Sequence, residues 1–300
     1  MIQTTILYHN DADGFASAMA AWLRYGNEAH YIEVAYDKPV PTIPAGTIDL
    51  FILDFSYSRE VCDQLATQYR LVVLDHHKTA KAALEGAPYA IFDMSKAGCE
   101  LAWEHFFPAE PLPELLAYVA DRDLWVWELP NSKAVNAWIA TLPKRFSKWA
   151  AVAMAGIGPE AIMCGEAILA SHAHLLEIMA SEAKFIEIAG LPAVVVNSTQ
   201  ALHSELAEFL GQRFPGAAVV AIYNDQGNGT RKYSLRTTRP DVDVSAIAIQ
   251  FGGGGHRKAA GFELPAHSYP SELCMGGELN HALEAIKHMD QMLKSKGWQV

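Results

Sequence analysis

The stretch ILYHNDADGFASAMAAWL (Ile6–Leu23) passes within a few residues from an apolar run to clustered polar and acidic side chains, then to small and apolar ones. TTILYH (4–9) has the continuous apolar character of a strand buried on both faces, and GFASAMAAWLRYG (14–26) reads as a helix closed by glycine. The alternation continues downstream. HYIEVAY (30–36) is a second strand, followed by the loop DKPVPTIPAG. DLFILDF (49–55), a helix over 58–69, RLVVLDHH (70–77) and PYAIFD (88–93) come next. Strands alternating with helices predict right-handed crossovers and a parallel sheet covered on both faces.

Helical spacing then takes over at 96–107 and 112–125. A long Ala-rich helix is predicted over about 159–185, with one interior glycine at Gly165, as a connector between two domains. The strand–helix pattern restarts with AVVVN (193–197), a helix over 204–214, AAVVAIYN (217–224) and RKYSLRTT (231–238). NDQGNG between the last two strands is a hairpin signal. A helix through VSAIAIQF leads into GGGGHRKAAGFEL, and an amphipathic helix is predicted over roughly 278–295. The expected architecture is α/β: an N-terminal parallel-sheet domain at 1–158, a connecting helix at 159–188 and a smaller α/β domain at 189–300.

The 300 residues suffice for such a pair. The net charge of −11 disfavours tight binding of long nucleic acid, which depends on many Lys and Arg contacts to phosphate. A small phosphorylated ligand stays open, because divalent ions can invert the local sign. Four scattered cysteines without a CxxC pair argue against structural zinc and for a reducing compartment. No leader pattern and no run of eighteen apolar residues is read, so the expectation is a cytoplasmic protein away from membranes.

Ligands of parallel sheets bind at the carboxyl ends of the strands. Here those ends carry His9, Asp11 and Asp13, then Asp54, then Asp75, His76 and His77, while YVADRD adds Asp121 and Asp123 at a helix end. Carboxylates this close repel one another unless protons or cations neutralise them. Oxygen donors mixed with imidazole suit manganese, iron or zinc. The set is large enough for two ions about 3.5–4 Å apart with one shared carboxylate. Each acid alone has an ordinary reading as a helix cap or turn residue. Three strands of one series all ending this way decide for metal ligands.

Taken together, HNDADG, the Asp54 that follows FIL, DHH at 75–77 and VADRD at 119–123 resemble the motifs of the DHH phosphoesterase superfamily. FGGGGHRKAAGFEL (251–264) is similar to the glycine-rich signature of its companion DHHA1 domain. The resemblance runs in order from residue 9 to 264. It implies a phosphoesterase that uses two divalent ions (Mn2+ first, with Mg2+, Co2+ or Fe2+ as substitutes) and metal-activated water, with the active site between the domains. Carried over by position, the metal shell would be His9, Asp11, Asp13, Asp54, Asp75, His76 and Asp121, with Asp54 bridging. Asp75 would also orient a ligand, and His77 would lie near the scissile phosphate, so Asp75 and His77 are the catalytic pair. VAD matched to the family's apolar-apolar-Asp favours Asp121 over Asp123. Two residues apart on a helix, the two acids face different sides and should not both coordinate.

Four consecutive glycines let backbone N–H groups approach an anion, and His256, Arg257 and Lys258 add side-chain donors. Gly253, Gly254, Gly255, His256, Arg257 and Arg236 are therefore the expected phosphate-binding residues, with Arg239 weaker. Trp125, Trp127 and Trp138 fit either base stacking or packing. The substrate expected is a small phosphorylated nucleotide or short oligonucleotide, not a long duplex; homodimerisation stays open. The alternatives are a non-catalytic nucleotide-binding module on the same scaffold and an inorganic-pyrophosphatase-like hydrolase.

Overall fold

The computed structural model describes residues 2–36, 38–199, 202–266 and 268 of the chain. The helix expected at about 278–295 lies outside the described residues. The chain divides into two compact units, residues 1–170 and 171–300.

The first unit is built on β1 (Thr4–His9), α1 (Ala12–Tyr25), β2 (Ala29–Val34), β3 (Asp49–Leu53), α2 (Arg59–Gln68), β4 (Arg70–Asp75), α3 (Lys78–Ala83) and β5 (Ala90–Phe92). The five strands form one sheet in the order β2-β1-β3-β4-β5, and each pairing is parallel. Successive side chains of a strand point to opposite faces. Ile6, Tyr8, Phe51 and Leu53 accordingly enter one hydrophobic core, while Leu7, Leu50 and Ile52 enter another. Both faces are dry, which is why the strands read as continuous apolar runs rather than alternating ones. Helices α4 (Gly98–Phe106), α5 (Glu114–Asp123), α6 (Ser132–Ile139) and α7 (Phe146–Ala155) complete the first core, which takes in Leu101, Leu115, Val135 and Trp149. The sequence reading does not identify α3, α6 and α7; each has ten residues or fewer, too few turns for a clear helical period.

Helix α8 (Pro159–Ser181) spans the division between the units. It ends four residues before the expected position. Ser181 Oγ bonds back to Ile178 O at 2.7 Å, and Glu182 N and Ala183 N reach carbonyls three residues back, the tight last turn of a closing helix. The alternating KFIEI that follows is a strand instead. Among the described residues α8 is long and apolar enough to cross a membrane by length and composition, with a mean hydropathy of 1.2 over eighteen residues, although Glu160, Glu166 and Glu177 interrupt it so that no run of eighteen apolar residues occurs. Leu176 and Ala180 near its end are nonetheless built into a core of the second unit.

The second unit carries β6 (Lys184–Ile188), β7 (Leu191–Asn197), α9 (His203–Arg213), β8 (Val219–Asp225), β9 (Thr230–Arg236), α10 (Val244–Gln250), β10 (Gly254–His256) and β11 (Ala259–Pro265). Its six-stranded sheet runs β10-β11-β9-β8-β7-β6, with only β7–β8 parallel. The expected hairpin at NDQGNG is the β8–β9 turn. Here too the strands are buried on both faces: Val194, Val196, Val220 and Ile222 pack towards α9, and Val195, Val219 and Ala221 towards α10.

A candidate metal centre

β1, β3 and β4 are lateral neighbours, so their carboxyl ends bring His9, Asp54 and Asp75–His77 side by side without any long-range chain excursion. Asp11 caps α1, its Oδ1 accepting from Gly14 N at 2.9 Å. Gly14 is required there, because a Cβ would lie 2.2 Å from His9 O. Asp13, on the first turn of α1, is buried and accepts from Gly98 N at 2.6 Å and Cys99 N at 2.8 Å. These are amides at the start of α4, whose unpaired N–H groups attract a carboxylate.

Asp54 lies at the centre. It has φ 54° and is 1% exposed, and its amide donates to Leu74 O at 2.8 Å, extending the β3–β4 ladder by one bond. Neither carboxylate oxygen has a hydrogen-bond partner among the described residues. One oxygen is 3.7 Å from His9 Nδ1 and the other 3.2 Å from His76 Nε2. His9 Nδ1 is also 2.8 Å from Asp11 Oδ2, without the alignment of a hydrogen bond. His76 Nε2 lies 3.3 Å from Asp123 Oδ2 and 3.8 Å from Asp13 Oδ2. Three donor groups result, His9–Asp11–Asp54, Asp13–His76–Asp123 and Asp54–His76–His77, each with its ligand atoms within 4.8 Å of one another.

Two corrections to the sequence reading follow. Asp123, not Asp121, joins the cluster. The Asp121 carboxylate turns away and accepts from Glu128 N at 2.9 Å and Leu129 N at 3.5 Å. Asp75 lies in none of the three donor groups. It is fully buried and saturated by Ser56 Oγ at 2.5 Å, by His76 N and His77 N, and by His77 Nδ1 at 2.7 Å. Its contact with His77 leaves His77 Nε2 available, the arrangement by which an outer carboxylate fixes an imidazole.

The electrostatics match a cation site. Burial, then the charges of Asp54 and Asp123, push Asp13 well above the carboxylate range. Burial outweighs the contact with His9 and raises Asp54, and burial raises Asp123. For His9, burial alone would lower the imidazole, but contact with Asp11 and Asp54 lifts it to about 10. Likewise burial would lower His77, and Asp75 overrides it and raises the imidazole. Buried oxygens without partners beside imidazole nitrogens are a donor set that divalent ions complete.

In the second unit the expected phosphate-binding residues lie around β10. The glycine-rich segment is half strand: Gly254 and Gly255 belong to β10, and a Cβ on Gly253 would lie 2.1 Å from Gly261 O of β11. Gly254, Gly255, His256 and Arg257 are exposed. Arg257 donates to Pro240 O at 2.5 Å, and Arg236, which burial lowers from its usual value, donates to Leu235 O. His256 pairs with Ala259, and Ala259 with Arg236, so the three stand in one row across β10, β11 and β9.

The DHHA1 domain family matches residues 187–294. Protein R106 of Acanthamoeba polyphaga mimivirus is 30% identical, covering 85% of this chain and 66% of its own length. Oligoribonuclease NrnB of Bacillus subtilis is 40% identical over 70 residues, 23% of this chain and 17% of that one. The chain thus spans less than two thirds of either relative. The crystal structure of RecJ in complex with Mn2+ from Thermus thermophilus has a TM-score of 0.51 at 14% identity, covering 95% of this chain and 52% of RecJ, a likeness of fold. Residues 187–294 carry a DHHA1 domain, and the sequence motifs and fold of the chain resemble those of the DHH superfamily.

Proposed function

We propose that the protein is a metal-dependent phosphoric ester hydrolase acting on a small phosphorylated nucleotide or short oligonucleotide. The observation that carries this reading is Asp54, whose two buried, partnerless oxygens face His9 on one side and His76 on the other. His9, Asp11, Asp13, Asp54, His76 and Asp123 would hold two divalent ions, with Asp54 shared and manganese the first choice. Bound there, such ions supply Lewis-acid polarisation of the phosphoryl group and a lowered pKa for the attacking water. The RecJ structure, of the same fold, was obtained with Mn2+.

The chain's own groups do the rest. Asp75 keeps a proton on His77 Nδ1 and holds the ring in place, so that Nε2 can face the leaving oxygen. Because Asp75 raises His77, the imidazole retains its proton at higher pH than a free histidine and serves as the acid. Within the second unit, the exposed Gly254–Arg257 segment and Arg236 are backbone and guanidinium donors of the kind that suits a phosphate group. The substrate class is supported by NrnB, an oligoribonuclease by name, and by the acidity of the chain, which disfavours long polyanions.

The test is a substrate panel with manganese: di- to pentanucleotides, nucleoside bisphosphates, cyclic dinucleotides and pyrophosphate. Short nucleotides should be turned over, and no hydrolysis of any of them would refute the reading. A manganese titration of two variants checks the ligand assignment. Asp123→Asn should weaken binding by about 10-fold or more. Asp121→Asn, which keeps the acceptor for the 128 amide and gives up the longer contact with the 129 amide, should leave affinity unchanged.

A further inference from the structure

The segment after Asp123 is strained in a way the metal centre does not explain. Trp125 has φ 57° and Trp127 φ 60°, both in the left-handed region that bulky side chains avoid. Two such residues one apart persist only where their surroundings over-determine them, and such strain concentrates at ligand clamps. The surroundings here are one residue. The Asp121 carbonyl accepts from Val126 N at 2.9 Å and Trp127 N at 3.4 Å, and its carboxylate accepts from Glu128 N and Leu129 N. Asp121 thereby binds four successive amides and fixes a strap that a relaxed chain would not form.

What the strap displays is aromatic. Trp125 is 43% exposed, and its ring meets Trp127 edge-on with centroids 5.0 Å apart. Lys133 Nζ lies 5.4 Å from the Trp127 ring centroid, fixing that ring from another side. The Trp127 indole N–H is buried without an acceptor among the described residues. Trp125 is two residues beyond Asp123, so their Cα atoms are separated by at most about 7 Å. A large apolar ring held open to water two residues from Asp123 buries little surface and so contributes little to packing. Every nucleobase has a π-face that such a ring can accept.

We propose that the Trp125–Trp127 strap is a nucleobase-stacking platform, with Trp125 the contact surface and Asp121 its positioning residue. This rests on the hydrolase reading and deepens it: the substrate is selected by a base next to the phosphoester, without regard to which base it is. Pyrophosphate and base-free phosphoesters would forgo the contact.

The experiment compares a 5′-phosphorylated diadenosine dinucleotide, its linkage made uncleavable by a bridging methylene, with the same molecule lacking both bases. Binding is measured by calorimetry with manganese present. The wild type should bind the base-bearing ligand about 5- to 100-fold more tightly, the range for stacking on one aromatic. Trp125→Ala should remove that preference without weakening the abasic ligand, and Trp125→Phe should restore most of it. With the cleavable dinucleotide, Trp125→Ala should raise KM and leave kcat near the wild-type value. Equal binding of the two ligands by the wild type, or parallel losses for both in Trp125→Ala, would overturn the platform. Should the hydrolase reading alone fail, turnover would be absent while the preference for the base-bearing ligand persisted.

Discussion

Asp54 joins two features that proteins rarely combine, a left-handed backbone and a carboxylate sealed from water. Burial, partly offset by His9 and reinforced by the charges of Asp11 and Asp123, moves its pKa from 3.8 to about 7. The metal-free fold therefore keeps a proton that the unfolded chain releases. Its contribution to stability is full below the ordinary carboxylate range and is lost as pH rises through about 7. Asn tolerates the left-handed region, so Asp54→Asn removes the charge without adding backbone strain. In melts with EDTA the variant should exceed the wild type at pH 8, by about 2–4 °C for each kcal/mol regained, and the gap should close by pH 5. Parallel pH profiles would contradict this account. At this scale the sequence was informative wherever a strand end positions the side chain, as for His9, Asp54 and His76. It misled at VADRD. Helical geometry correctly allowed only one of Asp121 and Asp123 to face the cluster, but the choice between them depends on the turn that follows α5, and a pattern of residue types does not encode that turn.

The N-terminus of α4 does for the site what no single side chain does: two of its amides hold Asp13. To reach that far the helix needs glycine at its first residue, since a Cβ on Gly98 would lie 2.5 Å from the Asp54 Cβ and 2.8 Å from its Oδ1. Gly98→Ala should destabilise the fold by about 1–3 kcal/mol through overpacking and weaken manganese binding at the same time. The denaturant midpoint and a metal titration would measure the two effects, and an unaltered metal affinity would mean that α4 does not organise the centre. The elements were legible in proportion to their burial. β1, β3 and β4 announced themselves as apolar runs because both faces of their sheet are covered. β6 was absorbed into the predicted end of α8, since KFIEI follows an Ala-rich helix with no proline or glycine between them. β10 was hidden because glycines carry no side-chain period, and pairing with β11 alone makes it a strand.

On the scale of the molecule, the two units have separate hydrophobic cores, one pair around the parallel sheet and one around the mixed sheet. Calorimetry should accordingly resolve two transitions. Manganese at 100 times its dissociation constant should stabilise the first unit by about 2.7 kcal/mol and leave the other in place. Leu206→Ala, at a fully buried position of the second unit, should cost about 2–5 kcal/mol there and spare the manganese-sensitive transition. A single transition that answers to both changes would show that the units unfold as one.

The donors at the ends of β1, β3 and β4 are spaced by the lattice of a parallel sheet, roughly 4.8 Å from strand to strand, and not by the length of chain between them. Lengthening or trimming the connection over residues 38–46, which joins β2 to β3, leaves that ruler unchanged. One residue inserted within β3 does the opposite: it swings Asp54 through the plane of the sheet to the far side, and no adjustment of the loops brings the oxygens back.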